Sequence, residues 1–124
     1  LDGHAFVLSV DADAVFTKGS DLNSRVTPLA LGQDTGIRDL VAVSDGILIL
    51  AGPTRNENVP YSIWFWDGAG ATATPLRTLD LSAIEDGAKA EILLLLGESR
   101  EAFRVLVMFD GVENGGAMSF RIPR

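Results

Sequence analysis

The sequence predicts an all-β fold built of four-stranded antiparallel meanders, and three observations carry that prediction. Asp45-Gly46 and Asp67-Gly68 punctuate short apolar runs, and glycine supplies the positive φ that a tight hairpin turn needs. In residues 61–66, Tyr61, Ile63 and Phe65 fall on one face and Ser62, Trp64 and Trp66 on the other. That period of two marks a strand. The apolar runs also recur: Ile92 lies 55 positions after Ile37, Phe120 lies 56 after Trp64, and Leu106 lies 58 after Leu48.

The first run, 5–10, is a copy of the strand at 61–66, because Ala5, Val7 and Asp11 stand 56 positions before Tyr61, Ile63 and Asp67. Residues 12–25 are polar and glycine-containing and read as a long loop. A short strand at 26–31 contains Thr27-Pro28-Leu29, a tripeptide repeated as Thr74-Pro75-Leu76 ahead of a strand expected near 76–81. Proline cannot donate to a ladder, so both of these strands belong at a sheet edge. Between them lie strands at 37–43, 47–51 and 61–66, with a looser loop at 52–60.

Beyond residue 81 two readings compete. Ser82-x-x-Glu85 has the form of a helix capping box, and Gly97 could close a helix running through the apolar residues 92–96. Gly87 opposes that helix, and five consecutive apolar residues suit a strand buried on both faces equally well. The recurrence favours strands at 91–96, 104–109 and 117–122, with a short helical turn around 82–89 ahead of them.

Four strands in a period of about 55 residues is the signature of a β-propeller blade. On this reading residues 1–124 form a single β domain. A partial blade at 1–31 holds strands three and four, a complete blade spans 36–81, and a partial blade at 90–122 holds strands one to three. That makes about two and a half blades, whereas a propeller closes with roughly four to eight. The expectation is therefore the C-terminal fragment of a larger ring. Its expected partner is the missing N-terminal part of the propeller, or a second copy recruited through unpaired edge strands. The alternative architecture is a self-contained β-sandwich of about nine strands.

Composition narrows the function classes. The 47% hydrophobic and 22% charged content over 124 residues is that of a globular chain with one modest core. Ten basic against seventeen acidic residues give a net charge of −7, which argues against nucleic-acid or anionic-membrane partners, since both need a basic footprint. Without cysteine, disulfides and thiolate metal sites are excluded. No apolar run approaches the length of a membrane span. The chain opens with Leu1 rather than methionine, which points to processing or an artificial boundary.

Three motifs carry a resemblance. Gly36-Ile-Arg-Asp-Leu40, then Asp45-Gly-Ile-Leu-Ile-Leu-Ala-Gly-Pro-Thr54, then Ile63-Trp-Phe-Trp-Asp-Gly68 together resemble the bacterial domain-of-unknown-function family 3616. Residues 1–11 and 104–110 are similar to further strands of that family. Where the family usually has Glu-Gly, this chain has Glu91-Ile92. The resemblance implies a propeller akin to phytase-like and SdiA-regulated ones, a periplasmic or secreted setting, and no defined activity.

The chemistry available is sparse. His4 is the one histidine, so two-histidine metal sites are ruled out, and no G-x-S-x-G frames a nucleophile. Asp11, Asp13 and Asp21 cluster oxygen ligands as a calcium site would, but they lack the glycine and closing glutamate of an EF-hand loop. No cofactor is predicted. Gly115-Gly116 precedes a strand and reads as a hairpin loop.

The candidate ligand-binding residues are Arg38, Asp39 and Glu91. Both stretches open an innermost strand, which places them near the channel mouth, where two carboxylates and a guanidinium suit a cation or polar ligand. The competing role is a structural ion pair. Trp64 and Trp66 share a face that suits either ligand contact or packing between blades. Three functions stay open: a ligand-binding or protein-interaction module, a phytase-like or lactonase-like hydrolase with a channel metal, and a structural domain.

Overall fold

The computed structural model describes residues 2–124. Its strands are β1 (His4–Ser9), β2 (Arg25–Ala30), β3 (Thr35–Val43), β4 (Gly46–Pro53), β5 (Ser62–Trp66), β6 (Ala73–Thr78), β7 (Lys89–Glu98), β8 (Ala102–Asp110) and β9 (Met118–Pro123). They form three antiparallel sheets: β1-β2, β3-β4-β5-β6 and β7-β8-β9. Each is a simple meander, so every strand pairs with its neighbours in sequence. Among the described residues no barrel closes. The predicted all-β class and antiparallel meanders are observed, including a strand where a helix through 92–96 had competed.

Turn chemistry sets the registers. Ser44 and Asp45 form the turn between β3 and β4, and Val43 sits opposite Gly46. A Cβ on Gly46 would lie 2.4 Å from the Trp66 carbonyl oxygen and 2.7 Å from the Phe65 ring, so the close approach of β5 requires glycine there. Both proline strands lie at edges. Pro28 is opposite Phe6 in β2, and Pro75 is opposite Trp64 in β6, the last strand of the central sheet.

Three expectations need correction. The fourth strand of the central sheet spans Ala73–Thr78 rather than 76–81. It pairs with β5 from the Asp67 turn onward, and the Asp80 carboxylate accepts the Ser82 N–H in a turn that ends the run. The expected loop at 12–25 contains a short helix, α1 (Ala12–Val15), whose first turn is capped by Asp11 Oδ1 on the Asp13 N–H. Around 82–89 the chain makes isolated turns and no helix, with Gly87 at φ +85° interrupting any run. Gly115 and Gly116 lie, as expected, in the β8–β9 connection, inside a 3₁₀ turn at Glu113–Gly116.

The central sheet is covered on both faces, and β4 shows how. Leu48, Ile49, Leu50 and Ala51 are all fully buried. Leu48 and Leu50 join Ile63, Phe103, Val105, Val107, Phe120 and Ile122 in a cluster shared with the third sheet. Ile49 and Ala51 join Leu29, Leu31 and Trp66 in a second cluster shared with the first sheet. Tyr61 and Phe65 pack on the first of these clusters and Trp64 on the second, so the alternation read in 61–66 divides the strand between two interfaces. The tryptophans are inter-sheet packing residues, and Trp66 satisfies its indole by donating from Nε1 to the Gly70 carbonyl at 2.6 Å.

Candidate functional site

The predicted site residues lie on β3 and β7, the first strands of the central and third sheets. Each carries an extra residue in its ladder. On β3 the pairing passes from Ile37–Ala51 to Asp39–Leu50, leaving Arg38 without an opposite residue. On β7 it passes from Ala90–Phe109 to Ile92–Met108, leaving Glu91 without one. An extra residue bends its strand and re-aims its side chain. Here the two irregularities turn Arg38 and Glu91 toward each other across the gap between sheets.

The result is an ion pair between Arg38 Nη2 and Glu91 Oε1. Arg38 Nη1 also donates to the Pro53 carbonyl at 3.3 Å, while its Nε is buried with no partner. The Arg38 side chain is 19% exposed and that of Glu91 37%. Asp39 takes a different part. Its Oδ2 accepts the Leu93 N–H of β7 at 2.8 Å, and its Oδ1 accepts the Leu40 N–H at 2.8 Å. Farther along, the Glu98 carboxylate accepts from Ser44 N at 3.1 Å and Ser44 Oγ at 3.0 Å.

These links, Arg38 to Glu91, Asp39 to Leu93 and Ser44 to Glu98, run in the same direction on both strands. β3 and β7 therefore lie side by side and co-directional, joined by carboxylates where a sheet would use backbone bonds. Arg124 closes the far end: its guanidinium bonds Asp45 at 2.5 Å, lies 3.7 Å from Glu98 and sits 4.3 Å from the centre of the Phe103 ring. The sequence placed Arg38, Asp39 and Glu91 together, and the structure brings Arg38 to Glu91 while committing Asp39 to backbone. Ser44, Glu98 and Arg124 went unnoticed, because their pairing depends on a register between sheets that no local pattern encodes.

A groove of about 590 Å³ lies at the start of β3, lined among others by His4, Asp34, Thr54, Arg55 and Glu57. Glu57 is held there by Thr54 Oγ1 at 3.2 Å and the Arg55 N–H at 2.6 Å. Asp11 and Asp21 are occupied locally, each accepting a backbone N–H two residues on. Among the described residues no group of three His, Asp or Glu side chains is arranged to hold a metal ion. The geometry available along the seam holds two sheets together and contains no nucleophile–base pair.

The chain was compared with known proteins on this basis. A family model described as "Protein of unknown function (DUF3616)" matches residues 18–117. No curated protein and no solved structure matches.

Proposed function

Because the chain belongs to the DUF3616 family of proteins of unknown function, its role has to be read from its own surfaces, and we propose that it is a protein-interaction module of the β-propeller type. Its three sheets act as consecutive blades, with β3 and β7 facing the common axis. The observation that carries this reading is that the stack ends on apolar faces at both sides. On the first sheet Phe6, Leu8, Val10 and Val26 are exposed, Leu8 at 65%. On the third sheet Ile92, Leu94 and Leu96 are exposed, Leu94 at 45%, beside half-buried Leu106 and Met108.

A sheet turned toward water alternates polar with apolar, and isolated surface leucines need no explanation. A row of apolar side chains across two adjacent strands does, because such patches mark interaction surfaces. On this reading the Arg38–Glu91 pair and the Asp39 bond are ties between neighbouring blades at the axis.

The test is the charged double variant Leu8→Asp/Leu94→Asp, compared with the native chain by light scattering and by binding of a hydrophobic dye. The native chain is expected to associate and bind dye, and the variant to keep its β-sheet circular dichroism while losing both. A folded variant that behaves like the native chain in both assays would refute the reading.

A further inference from the structure

The buried contacts between sheets follow one rule, and that rule says what fits the two exposed faces. Each sheet has a leading face, toward the sheet that follows, and a trailing face, toward the sheet before it. The first sheet leads with Ala5, Val7 and Leu29 onto the trailing Ile47, Ile49, Trp64 and Trp66 of the central sheet. The central sheet leads with Val41, Val43, Leu48, Leu50 and Ile63 onto the trailing Val105, Val107, Phe120 and Ile122 of the third.

The sequence recurrence keeps these roles. Trailing Ile47, Ile49, Trp64 and Trp66 correspond to trailing Val105, Val107, Phe120 and Ile122 at spacings of 58 and 56. Leading Tyr61 and Ile63 correspond to leading Ala5 and Val7 at 56. The same spacings identify the exposed faces. Leu106 and Met108 stand 58 positions after the leading Leu48 and Leu50, so the open side of the third sheet is a leading face. Leu8 and Val10 stand 56 before the trailing Trp64 and Trp66, so the open side of the first sheet is a trailing face.

We infer that the chain docks with a second copy of itself head to tail, the third sheet of one copy packing on the first sheet of the other. This rests on the interaction reading above and names its partner. One molecule carries both an unfilled leading face and an unfilled trailing face, of the kinds that already mate twice inside it. A contact of unlike faces is heterologous and closes only if its rotation closes. Two copies of three sheets bring six sheets together, within the roughly four to eight of known propellers. The structure thus points to a closed dimer with two identical leading-to-trailing contacts.

The experiment is light scattering coupled to size exclusion on the native chain and on Leu8→Asp and Leu94→Asp separately. The native chain is expected at twice the 13.2 kDa chain mass, with no growth at higher concentration. Each single variant spoils both contacts and should weaken association about 100-fold or more, since an unpaired charge is buried. Mixing the two variants restores one intact contact, between the third sheet of the Leu8→Asp chain and the first sheet of the Leu94→Asp chain, and should give a heterodimer. Val26→Lys replaces Leu8→Asp if that chain fails to fold.

A dimer formed by either single variant alone would mean that like faces pair, and would overturn the inference. So would open-ended growth of the native chain, or a native monomer at all concentrations. The interaction reading falls separately, only if the double variant leaves dye binding and scattering unchanged.

Discussion

Removing either partner of the Arg38–Glu91 pair should have unequal effects, because the two side chains are unequally buried. In Glu91→Ala the guanidinium stays where it is, 19% exposed, with Nε already unpartnered and Nη1 holding a 3.3 Å bond to the Pro53 carbonyl. Breaking a fully buried pair costs about 3–5 kcal/mol, and partial exposure lowers this to about 2–3 kcal/mol. In Arg38→Met the apolar stem is retained and Glu91, 37% exposed, recovers water. That should cost about 1 kcal/mol or less. The double variant removes both charges and should fall about 1–2 kcal/mol short of the sum of the single effects.

The assay is urea unfolding followed by the fluorescence of Trp64 and Trp66, which pack in the cluster between the first and central sheets. Reading it requires an unchanged denaturant slope. Equal losses in the two single variants, or a larger loss in Arg38→Met, would refute the argument from unequal burial. An additive double variant would show that the pair contributes nothing as a pair.

Gly46→Ala should destabilise by about 1–3 kcal/mol, since its methyl must displace the Trp66 carbonyl from 2.4 Å; a lowered Tm checks it. Trp66→Ala should cost about 3–5 kcal/mol, a fully buried indole and its bond to Gly70 being lost together; the midpoint of chemical unfolding reports it. Asp67 is held below the usual carboxylate range first by the Ala69 N–H and then by that of Gly70. A lowered folded-state pKa contributes stability above the unfolded value and loses it as pH falls through the folded one. Tm should therefore start to fall only below about pH 4, and Asp67→Asn should lower Tm at pH 7 but converge on the native chain at the acid end of a pH series.

Much of the fold was legible because its signals are local. Period-two alternation in 61–66 assigned Ile63 and Trp66 to opposite interfaces correctly, since side-chain direction in a strand follows from backbone geometry alone. The prolines located edges for the same reason: a missing N–H is a property of one residue. The strand at 92–96 needed more than local pattern, and the spacing to the central unit supplied it. The ends of elements were less legible. Ala73 and Thr74 join β6 because Trp66 and Phe65 lie opposite them, a pairing partner that 73–78 does not announce. The site was half legible. Arg38 and Glu91 could be suspected from their place at strand openings, but the irregularities that turn them together arise from pairing with β4 and β8. Glu98 and Arg124 lie at the opposite end of the seam, and no sequence pattern connects them to Ser44 and Asp45.

The alternation along β4 also separates neighbours. Leu48 and Leu50 answer to the third sheet, Ile49 and Ala51 to the first, and the strand interleaves two independent vocabularies letter by letter. A change at 48 is constrained by partners such as Phe103 and Val107, and one at 49 by Leu29 and Trp66. Compensating substitutions should therefore pair residue 48 with distant positions in β8 and leave its covalent neighbour indifferent. A single inserted residue, by contrast, would exchange the two vocabularies at once and make both interfaces unreadable together.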